Sequence, residues 1–422
     1  MNVDVPATTA TLSRAVIISH TPTVSLHYSN MTRLFQRKKL VRFGLLAAIS
    51  VLALPACTLG TSGGGAASSA SAHPEFVYVG TLQSHIDALR LNPSTGELTA
   101  IGTVAQGLKS TWVTAHPELP VLYGVDDDSA KEGSITAYAV NQGTGTLAPI
   151  NATHTGGHGT TFLRFDVASN TLLGANYNSG SVSSVAVNAD GSMGPLVSTI
   201  TETGSGPSRR QASAHAHSIA IDPSGRYALV PDLGADRVFI YRFDRTTHAL
   251  SKDDGPGSHE FVAPPGSGPR HLAFGSSGQF VYLLTEMSAQ IMVLRWDATQ
   301  GKLSLVQSVP TSSQNFQGVK SGAEIAVSHD GRFVYAEDRG ENSIVVYRIS
   351  PESGELSFIQ RIASGGDKPW GFAIDGSGKW LLVANQRSDK VNVFSIDTAS
   401  GIVSDTGKSA AVPSPSSVAF VK

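Results

Sequence analysis

The segment Arg270–Asp297, RHLAFGSSGQFVYLLTEMSAQIMVLRWD, decides the fold. It begins with a short apolar run, passes through a Ser-Gly turn into a second apolar run, and ends, after a polar turn, with a run in which apolar and polar residues alternate. Short runs of this composition that are bounded by turn residues indicate β-strands. The segment therefore predicts a three-stranded antiparallel meander.

The same pattern recurs along the chain. Three further segments align with the first one without gaps: HSIAIDPSGRYALVPDLGADRVFIYRFD from His217, AEIAVSHDGRFVYAEDRGENSIVVYRIS from Ala323 and WGFAIDGSGKWLLVANQRSDKVNVFSID from Trp370. Weaker copies begin at Thr111 and Thr161, and a further first strand, SSVAFVK, begins at Ser416. One meander cannot cover its own faces, so the copies are expected to pack against one another.

The spacing and the two ends of this array predict a closed ring. A repeat of about fifty residues is the span of a four-stranded propeller blade. Residues Phe76–Val104 supply the later strands of a blade, and the C-terminus supplies a first strand alone. We therefore predict an all-β fold, a seven-bladed β-propeller over residues 76–422, in which Ser416–Val421 pairs with Phe76–Gly80 and removes the exposed edge. A solenoid or a sandwich is the alternative, and a half-repeat at each end argues against both.

Composition excludes several classes of function. The chain has 422 residues, of which 15% are charged, and a formal net charge of -2, which does not favour nucleic acid as a partner. Its one cysteine, Cys57, excludes a disulfide framework and a cluster of thiolate metal ligands. The stretch Gly266–Arg270, GSGPR, lacks the strand-to-helix context of a nucleotide-binding loop. We predict no cofactor.

The N-terminal segment has the features of an export signal. Basic residues precede an apolar run, FGLLAAISVLALPA at residues 43–56, which is too short for a membrane span and has the length of a signal-peptide core. The run ends in LPAC at Cys57, which resembles a bacterial lipobox. An ordinary secretory signal or an uncleaved anchor is the alternative, and both also place the body of the protein outside the cytoplasm.

These features predict how the first 75 residues are organised. We expect residues 1–30 to be a non-structural extension with the true start at Met31, residues 31–56 to be a signal peptide, and the small, polar residues 57–75 to be a flexible tether. The predicted location is extracytoplasmic, in the periplasm or at the surface of a bacterial cell. The predicted contact with the membrane is a lipid anchor at Cys57.

Two positions of the repeat carry candidate functional residues. His217 and Arg270 occupy the start of the first strand, and Glu286 and Arg339 occupy the end of the second strand, sixteen residues later in each repeat. Because the two strands run antiparallel, both positions face one mouth of the ring. Equivalent positions in other copies hold Leu, Ala, Trp or Gln, so the repeat does not require charge there. A solvated rim of polar residues near turns is the alternative to a site.

Two histidines of the sequence have the spacing of a pair of metal ligands. His215 and His217 form an H-x-H pair, and alternate residues of a strand share one face. No third ligand is evident. His154 and His158, in HTGGHGT, are the candidates for one, although both are expected in a connection between blades. We predict no metal.

Three segments, AHSIAIDPSGRYALVPDLGADRVFIYR, GPRHLAFGSSGQFVY and GANYNSGSVSSVAV, resemble a known family. It is the seven-bladed lactonase family, which includes bacterial 6-phosphogluconolactonases of the propeller type and fungal carboxymuconate cycloisomerases. The resemblance covers residues 76–422. It implies a site in the channel mouth made of a histidine, two arginines and a glutamate, and the matching motifs assign these to His217, Arg270, Arg339 and Glu286.

The resemblance also implies an activity. The expected function is that of a lactonase, a hydrolase that opens the ring of an acidic lactone, sugar-derived or phosphorylated, and the expected partner is that small molecule. For a lactonizing cycloisomerase of the muconate type, the partner is instead an unsaturated diacid. A non-catalytic exported binding disc is the alternative from a different class. The oligomeric state stays open, because a closed ring has no edge that demands a partner.

Lactone opening assigns a role to each candidate. A water molecule must become nucleophilic, and an oxyanion must be stabilised. Imidazole accepts a proton near neutral pH, so His217 is the first candidate for the base. Glu286 is its competitor, although neighbouring arginines lower the pKa of a carboxyl group and favour an orienting role. Arg270 and Arg339 are expected to bind the acid group of the substrate or to face the oxyanion.

Overall fold

The computed structural model describes residues 75–252 and 259–421. The segments predicted as an extension, a signal peptide and a tether, with the lipid anchor at Cys57, lie outside these ranges except for Glu75, which begins the first strand. Within the described ranges, no helix is both long enough and apolar enough to cross a lipid bilayer.

The described residues form twenty-nine β-strands and two short 3₁₀ helices. Strands β1 to β11 are Glu75–Thr81, His85–Leu91, Leu98–Gln106, Val113–Ala115, Val121–Asp126, Glu132–Val140, Leu147–His158, Thr160–Asp166, Thr171–Asn176, Ser181–Val187 and Met193–Thr201. Strands β12 to β20 are Ala220–Ile221, Tyr227–Asp232, Arg237–Asp244, Ala249–Lys252, Glu260–Val262, Pro269–Phe274, Phe280–Thr285, Gln290–Asp297 and Lys302–Pro310. Strands β21 to β29 are Gly322–Val327, Phe333–Asp338, Ser343–Ile349, Leu356–Ala363, Pro369–Ile374, Trp380–Asn385, Lys390–Ile396, Val403–Ala411 and Pro415–Val421. The helices are Arg209–Gln211 and Gln386–Ser388.

The described strands form seven antiparallel sheets. Five sheets consist of four consecutive strands, β4 to β7, β8 to β11, β17 to β20, β21 to β24 and β25 to β28. In the sheet of β12 to β15, the short strand β16 also pairs with β14. Strands β15 and β16 together therefore form the outer edge of this sheet. The prediction of an all-β, seven-bladed propeller with four-stranded blades is confirmed.

The ring closes between the two ends of the described chain. Strand β29 pairs antiparallel with β1, and Phe76 lies opposite Val421 while Gly80 lies opposite Ser417. The sheet order β29-β1-β2-β3 therefore completes one blade from both ends, as predicted. The Ser416 hydroxyl donates a hydrogen bond to Gly80 O at 3.0 Å, which ties the two strands together at the channel.

The hydrophobic core lies between neighbouring blades. It consists of seven clusters among the described residues, and one of them joins Leu229 of β13 to Leu283 of β18. Full burial of a Leu side chain contributes about 1.5–3 kcal/mol, so the packing of blade on blade holds the ring. Buried tyrosines add a hydrogen bond across three of these interfaces, from Tyr78, Tyr123 and Tyr282 to the carbonyl oxygens of Gly145, Gly191 and Gly354 at 2.9, 2.9 and 3.1 Å.

A β-bulge near the start of β17 sets the direction of one site residue. Pro269 pairs with Thr285, and His271 pairs with the adjacent Leu284, so Arg270 has no opposite residue in β18. A bulged residue bends its strand and redirects its side chain. The bulge places Arg270 beside the residue that follows β18.

Candidate active site

The starts of the first strands and the ends of the second strands surround a cavity of about 350 Å³ at one mouth of the channel. The structure brings together in its wall the four residues that the sequence nominated, His217, Arg270, Glu286 and Arg339. The other polar or aromatic residues of the wall include Lys109, Asp127, Tyr177, Arg210 and Trp370. The four candidates come from three adjacent blades.

Glu286 is the centre of an ion-pair cluster. Its Oε1 lies 2.7 Å from Arg210 Nη1 and 3.0 Å from Arg339 Nη2. Its Oε2 lies 3.1 Å from Arg270 Nε. Burial alone would raise the pKa of Glu286, but Arg339 and Arg270 outweigh it and hold the pKa well below its usual range. Glu286 is therefore a charged anchor for three guanidinium groups and a poor proton acceptor.

His217 lies beside this cluster as a neutral imidazole. Burial lowers the pKa of His217 well below its ordinary value, and the positive charge of Arg270 lowers it further, while Glu286 opposes the shift. The Nε2 atom is 3.8 Å from Glu286 Oε2, and Nδ1 is enclosed without a hydrogen bond among the described residues. A neutral ring with Nε2 on the cavity side can accept a proton from a water molecule there.

A buried chain of polar contacts holds Arg270 from behind. Arg270 Nη1 donates to Ala323 O and lies 3.3 Å from His271 Nε2. His271 Nδ1 lies 2.9 Å from Glu324 Oε1. Burial lowers the pKa of His271 well below its ordinary value, so the ring is neutral, and with Nδ1 donating to Glu324 its Nε2 is left as an acceptor for Arg270. Glu324 and His271 thus orient Arg270.

Arg339 is fixed on two further sides. Its Nε donates to Ser321 Oγ at 3.0 Å, and its guanidinium carbon lies 4.3 Å from the centre of the Trp370 ring. A cation over an aromatic face is stabilised by about 0.5–2 kcal/mol. The ring supports one side of the guanidinium, while Nη2 reaches Glu286.

Sequence reasoning missed Arg210. It lies in the 3₁₀ helix Arg209–Gln211, in the connection between β11 and β12, and this connection is not part of the repeat. Gln211 Nε2 donates to Leu233 O at 2.9 Å and anchors the helix against the neighbouring turn. The Arg210 side chain is 53% exposed, so it reaches Glu286 from the solvent side of the mouth. No signal in the repeat could have identified it.

Asp127 and Tyr177 were also missed, although the repeat contains the signal for them. They follow the second strands β5 and β9, and they stand sixteen residues after Thr111 and Thr161, the spacing that identified Glu286. Extending that spacing to the weaker copies would have found both. Burial raises the pKa of Asp127 to about 6.

The H-x-H pair packs around Tyr177. The His215 ring stacks on the Tyr177 ring at 4.5 Å, and its Nδ1 lies 2.8 Å from Tyr177 O. The His217 ring meets Tyr177 edge-on at 5.4 Å. Over residues 75–252 and 259–421, no three His, Cys, Asp or Glu side chains are grouped to hold a metal ion.

Comparisons with known proteins match the propeller as a whole. Residues 76–420 match the family model described as "Lactonase, 7-bladed beta-propeller". The chain is 31% identical over 311 residues to a 6-phosphogluconolactonase of Bacillus subtilis, which covers 74% of this chain and 87% of that protein. It is 30% identical over 323 residues to a 6-phosphogluconolactonase of Formosa agariphila, which covers 75% of this chain and 89% of that protein.

A solved structure agrees with these relatives. The periplasmic gluconolactonase PpgL of Pseudomonas aeruginosa is similar to this structure with a TM-score of 0.76 and 33% identity, over 83% of this chain and 99% of that one. The match to the family model and the match to the solved structure thus each have about the length of the whole propeller. The chain belongs to the seven-bladed β-propeller lactonase family.

Proposed function

We propose that this protein is a lactonase that hydrolyses a small acidic lactone, sugar-derived or phosphorylated. The observation that carries the proposal is a neutral, buried His217 beside a carboxylate, Glu286, that fixes three arginines in one mouth. The names of the relatives support it, since two are called 6-phosphogluconolactonase and one gluconolactonase.

The proposed reaction uses His217 as a general base. A water molecule attacks the lactone carbonyl carbon while His217 Nε2 takes its proton, and a tetrahedral oxyanion forms. Glu286 Oε2, 3.8 Å from Nε2, stabilises the imidazolium. Collapse breaks the ring C–O bond, and the leaving alkoxide takes the proton from His217. The products balance as lactone plus water giving a hydroxy acid.

The three arginines and one lysine that line the described mouth favour an acidic substrate. The described mouth holds Arg210, Arg270, Arg339 and Lys109 against the carboxyl groups of Glu286 and Asp127. Glu286 is shared by three guanidinium groups, so their remaining N–H donors stay available for an anion. Among the described residues, no hydrogen bond of Arg270 uses Nη2. We assign Arg270 Nη2 and Arg339 to the oxyanion and Arg210 to the acid group.

A panel of lactones tests this assignment. Proton release above the spontaneous rate is followed with 6-phosphogluconolactone, glucono-δ-lactone and muconolactone. Charge-assisted hydrogen bonds contribute about 1.5–3 kcal/mol, so the phosphorylated lactone should show a kcat/KM at least about tenfold above that of the neutral one. Arg210→Gln should lower the ratio of kcat/KM for the phosphorylated lactone to kcat/KM for the neutral one. Arg295→Gln is the control and should leave that ratio unchanged, because Arg295 is an exposed arginine that lies over the Phe280 ring, away from the mouth.

Three outcomes contradict the proposal in different ways. No turnover of any lactone favours a binding disc. Reaction of muconolactone alone, towards the unsaturated diacid, favours a cycloisomerase. Equal kcat/KM for neutral and phosphorylated lactones removes the acid-binding role of the mouth.

We also propose that the protein acts outside the cytoplasm, held by a lipid on Cys57. The support is the apolar run before LPAC, together with the P. aeruginosa relative, which is described as periplasmic. In a bacterial host fed labelled palmitate, the native protein should carry label and sediment with membranes, while Cys57→Ser should do neither. Equal labelling of both proteins would contradict the anchor.

A further inference from the structure

A second, larger cavity lies within the channel. It has a volume of about 560 Å³, within the range of small-molecule sites, and its wall includes residues from the first strands around the ring. The wall combines polar groups with apolar side chains, and the apolar ones include Ile219, Leu272, Phe274, Ile325, Phe372 and Val418. Among the described residues, the walls of this cavity and of the mouth have no residue in common. The two spaces can therefore be probed separately.

Arg164 of β8 places an unpaired positive charge in this cavity. Among the described residues its guanidinium makes no hydrogen bond and no ion pair, and Asp166 and Glu324 act on it only from a distance. An arginine keeps its charge under all ordinary conditions. Its side chain is exposed to the space of the channel, where an anion can reach it.

The carboxyl group of the same wall does not serve this arginine. Glu324 Oε1 accepts from His271 Nδ1 at 2.9 Å and from the backbone N–H of Ile325 at 2.9 Å. Both bonds use Oε1, which therefore belongs to the chain that orients Arg270. Among the described residues, Glu324 acts on Arg164 through its charge and not through an ion pair. A cavity that offers an arginine without a protein partner beside apolar side chains is complementary to an anion that has an apolar body.

Two aromatic rings next to Arg164 define where that body would pack. The Trp112 and Phe162 rings lie 4.4 Å apart with an angle of 39° between their planes, and both line the cavity. Phe162 lies on β8, two residues before Arg164, so both side chains leave the same face of the strand. Aromatic faces favour stacked or edge-on contacts with another ring.

We propose that the channel binds a small carboxylic acid with an apolar, ring-sized body, its carboxylate on Arg164 and its body against Trp112 and Phe162. This site is separate from the mouth and does not rest on the proposed lactone hydrolysis. Its ligand differs from the proposed substrate, because the channel wall offers one arginine beside a pair of aromatic rings where the mouth offers three arginines and a lysine.

Benzoate is the probe, with benzamide as its neutral isostere and acetate as a carboxylate without the body. Binding is followed by tryptophan fluorescence and by calorimetry on the intact protein. Benzoate should bind at least about tenfold more tightly than benzamide or acetate, and Arg164→Gln should weaken benzoate by about tenfold or more. Arg295→Gln, an exposed arginine on the outside of a blade, should leave the Kd unchanged.

Tryptophan substitutions locate the bound probe. The fluorescence change should disappear in Trp112→Phe, which lies in the channel, and persist in Trp370→Phe, which lies in the mouth. Benzoate that fails to bind overturns the proposal. An affinity for benzoate that is unchanged in Arg164→Gln also overturns it. A fluorescence change that is lost in Trp370→Phe and kept in Trp112→Phe overturns it as well, because benzoate then occupies the mouth.

Discussion

The blade of β17 to β20 and the blade of β25 to β28 share one backbone plan and differ in chemistry. In each, a bulge follows a proline at the start of the first strand. The bulged residue is Arg270 in one blade and Trp370 in the other. The residue after the second strand is Glu286 in one and Gln386 in the other. The repeat therefore fixes where a side chain stands, and the residue type alone decides whether that position carries charge.

The apolar blade, β25 to β28 with Trp370 and Gln386, also contributes to the site of the charged blade, β17 to β20 with Arg270 and Glu286. The Trp370 ring lies 4.3 Å from the Arg339 guanidinium carbon, so the aromatic copy supports an arginine of the neighbouring blade. The site is thus assembled across four blades, with the base from one, two arginines and the glutamate from the next two and the aromatic ring from a fourth. Substitutions that make the two blades more alike test this division of roles.

The largest effect is expected for His217. In the blade of β12 to β15 it occupies the repeat position that Arg270 and Trp370 occupy in the charged and apolar blades. His217→Ala removes the proposed base, and general-base catalysis contributes about 10² to 10⁴ in rate, so kcat should fall about a thousandfold. Because the pKa of His217 is lowered by burial, the wild-type rate should fall only well below pH 6.5, and this decline should be absent from the residual rate of the variant. A pH profile of kcat/KM measures both.

His154→Ala is the matched control, since that side chain is 71% exposed and outside the mouth. Its profile should match the wild type. A His217→Ala protein that folds normally and retains the wild-type rate would remove His217 from the chemistry.

Glu286→Gln gives the charged blade the residue of the apolar one. Breaking a buried ion pair leaves its partners uncompensated, so kcat/KM should fall about a hundredfold. The negative charge of Glu286 raises the pKa of His217, and its loss lowers that pKa further, so the acid limb of the pH profile should move to lower pH. Glu260→Gln, at a partly exposed pair with Arg237, should change neither. Abolished turnover at every pH would instead make Glu286 the proton acceptor.

The repeat predicted the fold and the four candidate positions because both depend on spacing. Strand order, ring closure and the meeting of Arg270 with Glu286 follow from antiparallel pairing and from equal repeat lengths. The same spacing contained Asp127 and Tyr177, which were missed because they lie in the weaker copies.

Other parts of the site have no spacing to reveal them. Arg210 comes from a connection between blades, whose path depends on contacts such as that of Gln211 with Leu233. The chain from Glu324 through His271 depends on the bulge in β17, which shifts the register by one residue and decides which side chain enters the channel. A pattern of residue types does not contain that shift.

Glu324→Gln tests the chain of hydrogen bonds that orients Arg270 through His271. Its effect on the rate should be smaller than that of Glu286→Gln. Burial raises the pKa of Glu324 to about 7, and the charged or titratable groups that face it are His271, Arg270, Arg164 and Glu337. As the pH rises through about 7, Glu324 gains its charge and holds His271 Nδ1–H more firmly, so the wild-type rate should rise modestly. Glutamine does not titrate, and that step should vanish.

The expected loss above pH 7 is about threefold to tenfold, the size of one ordinary hydrogen bond of about 0.5–1.5 kcal/mol, because the glutamine still accepts from His271 and only the charge is lost. Glu352→Gln, an exposed carboxylate on a turn, should keep the step. A step at pH 7 that survives in Glu324→Gln would assign it to another group and leave His271 without an orienting role.

The smallest effect is expected in the apolar blade itself. Trp370→Leu keeps an apolar side chain and removes the aromatic face, which stabilises the Arg339 guanidinium by about 0.5–2 kcal/mol. Because Arg339 is assigned to the oxyanion, kcat should fall about threefold to tenfold while KM stays within twofold. Trp370→Phe should lie between leucine and the wild type, because a phenyl ring retains a weaker negative face. Steady-state kinetics on the same lactone measure the series. If leucine, phenylalanine and tryptophan give one kcat, the apolar blade only fills space, and the charged blade with its two neighbours forms the site without it.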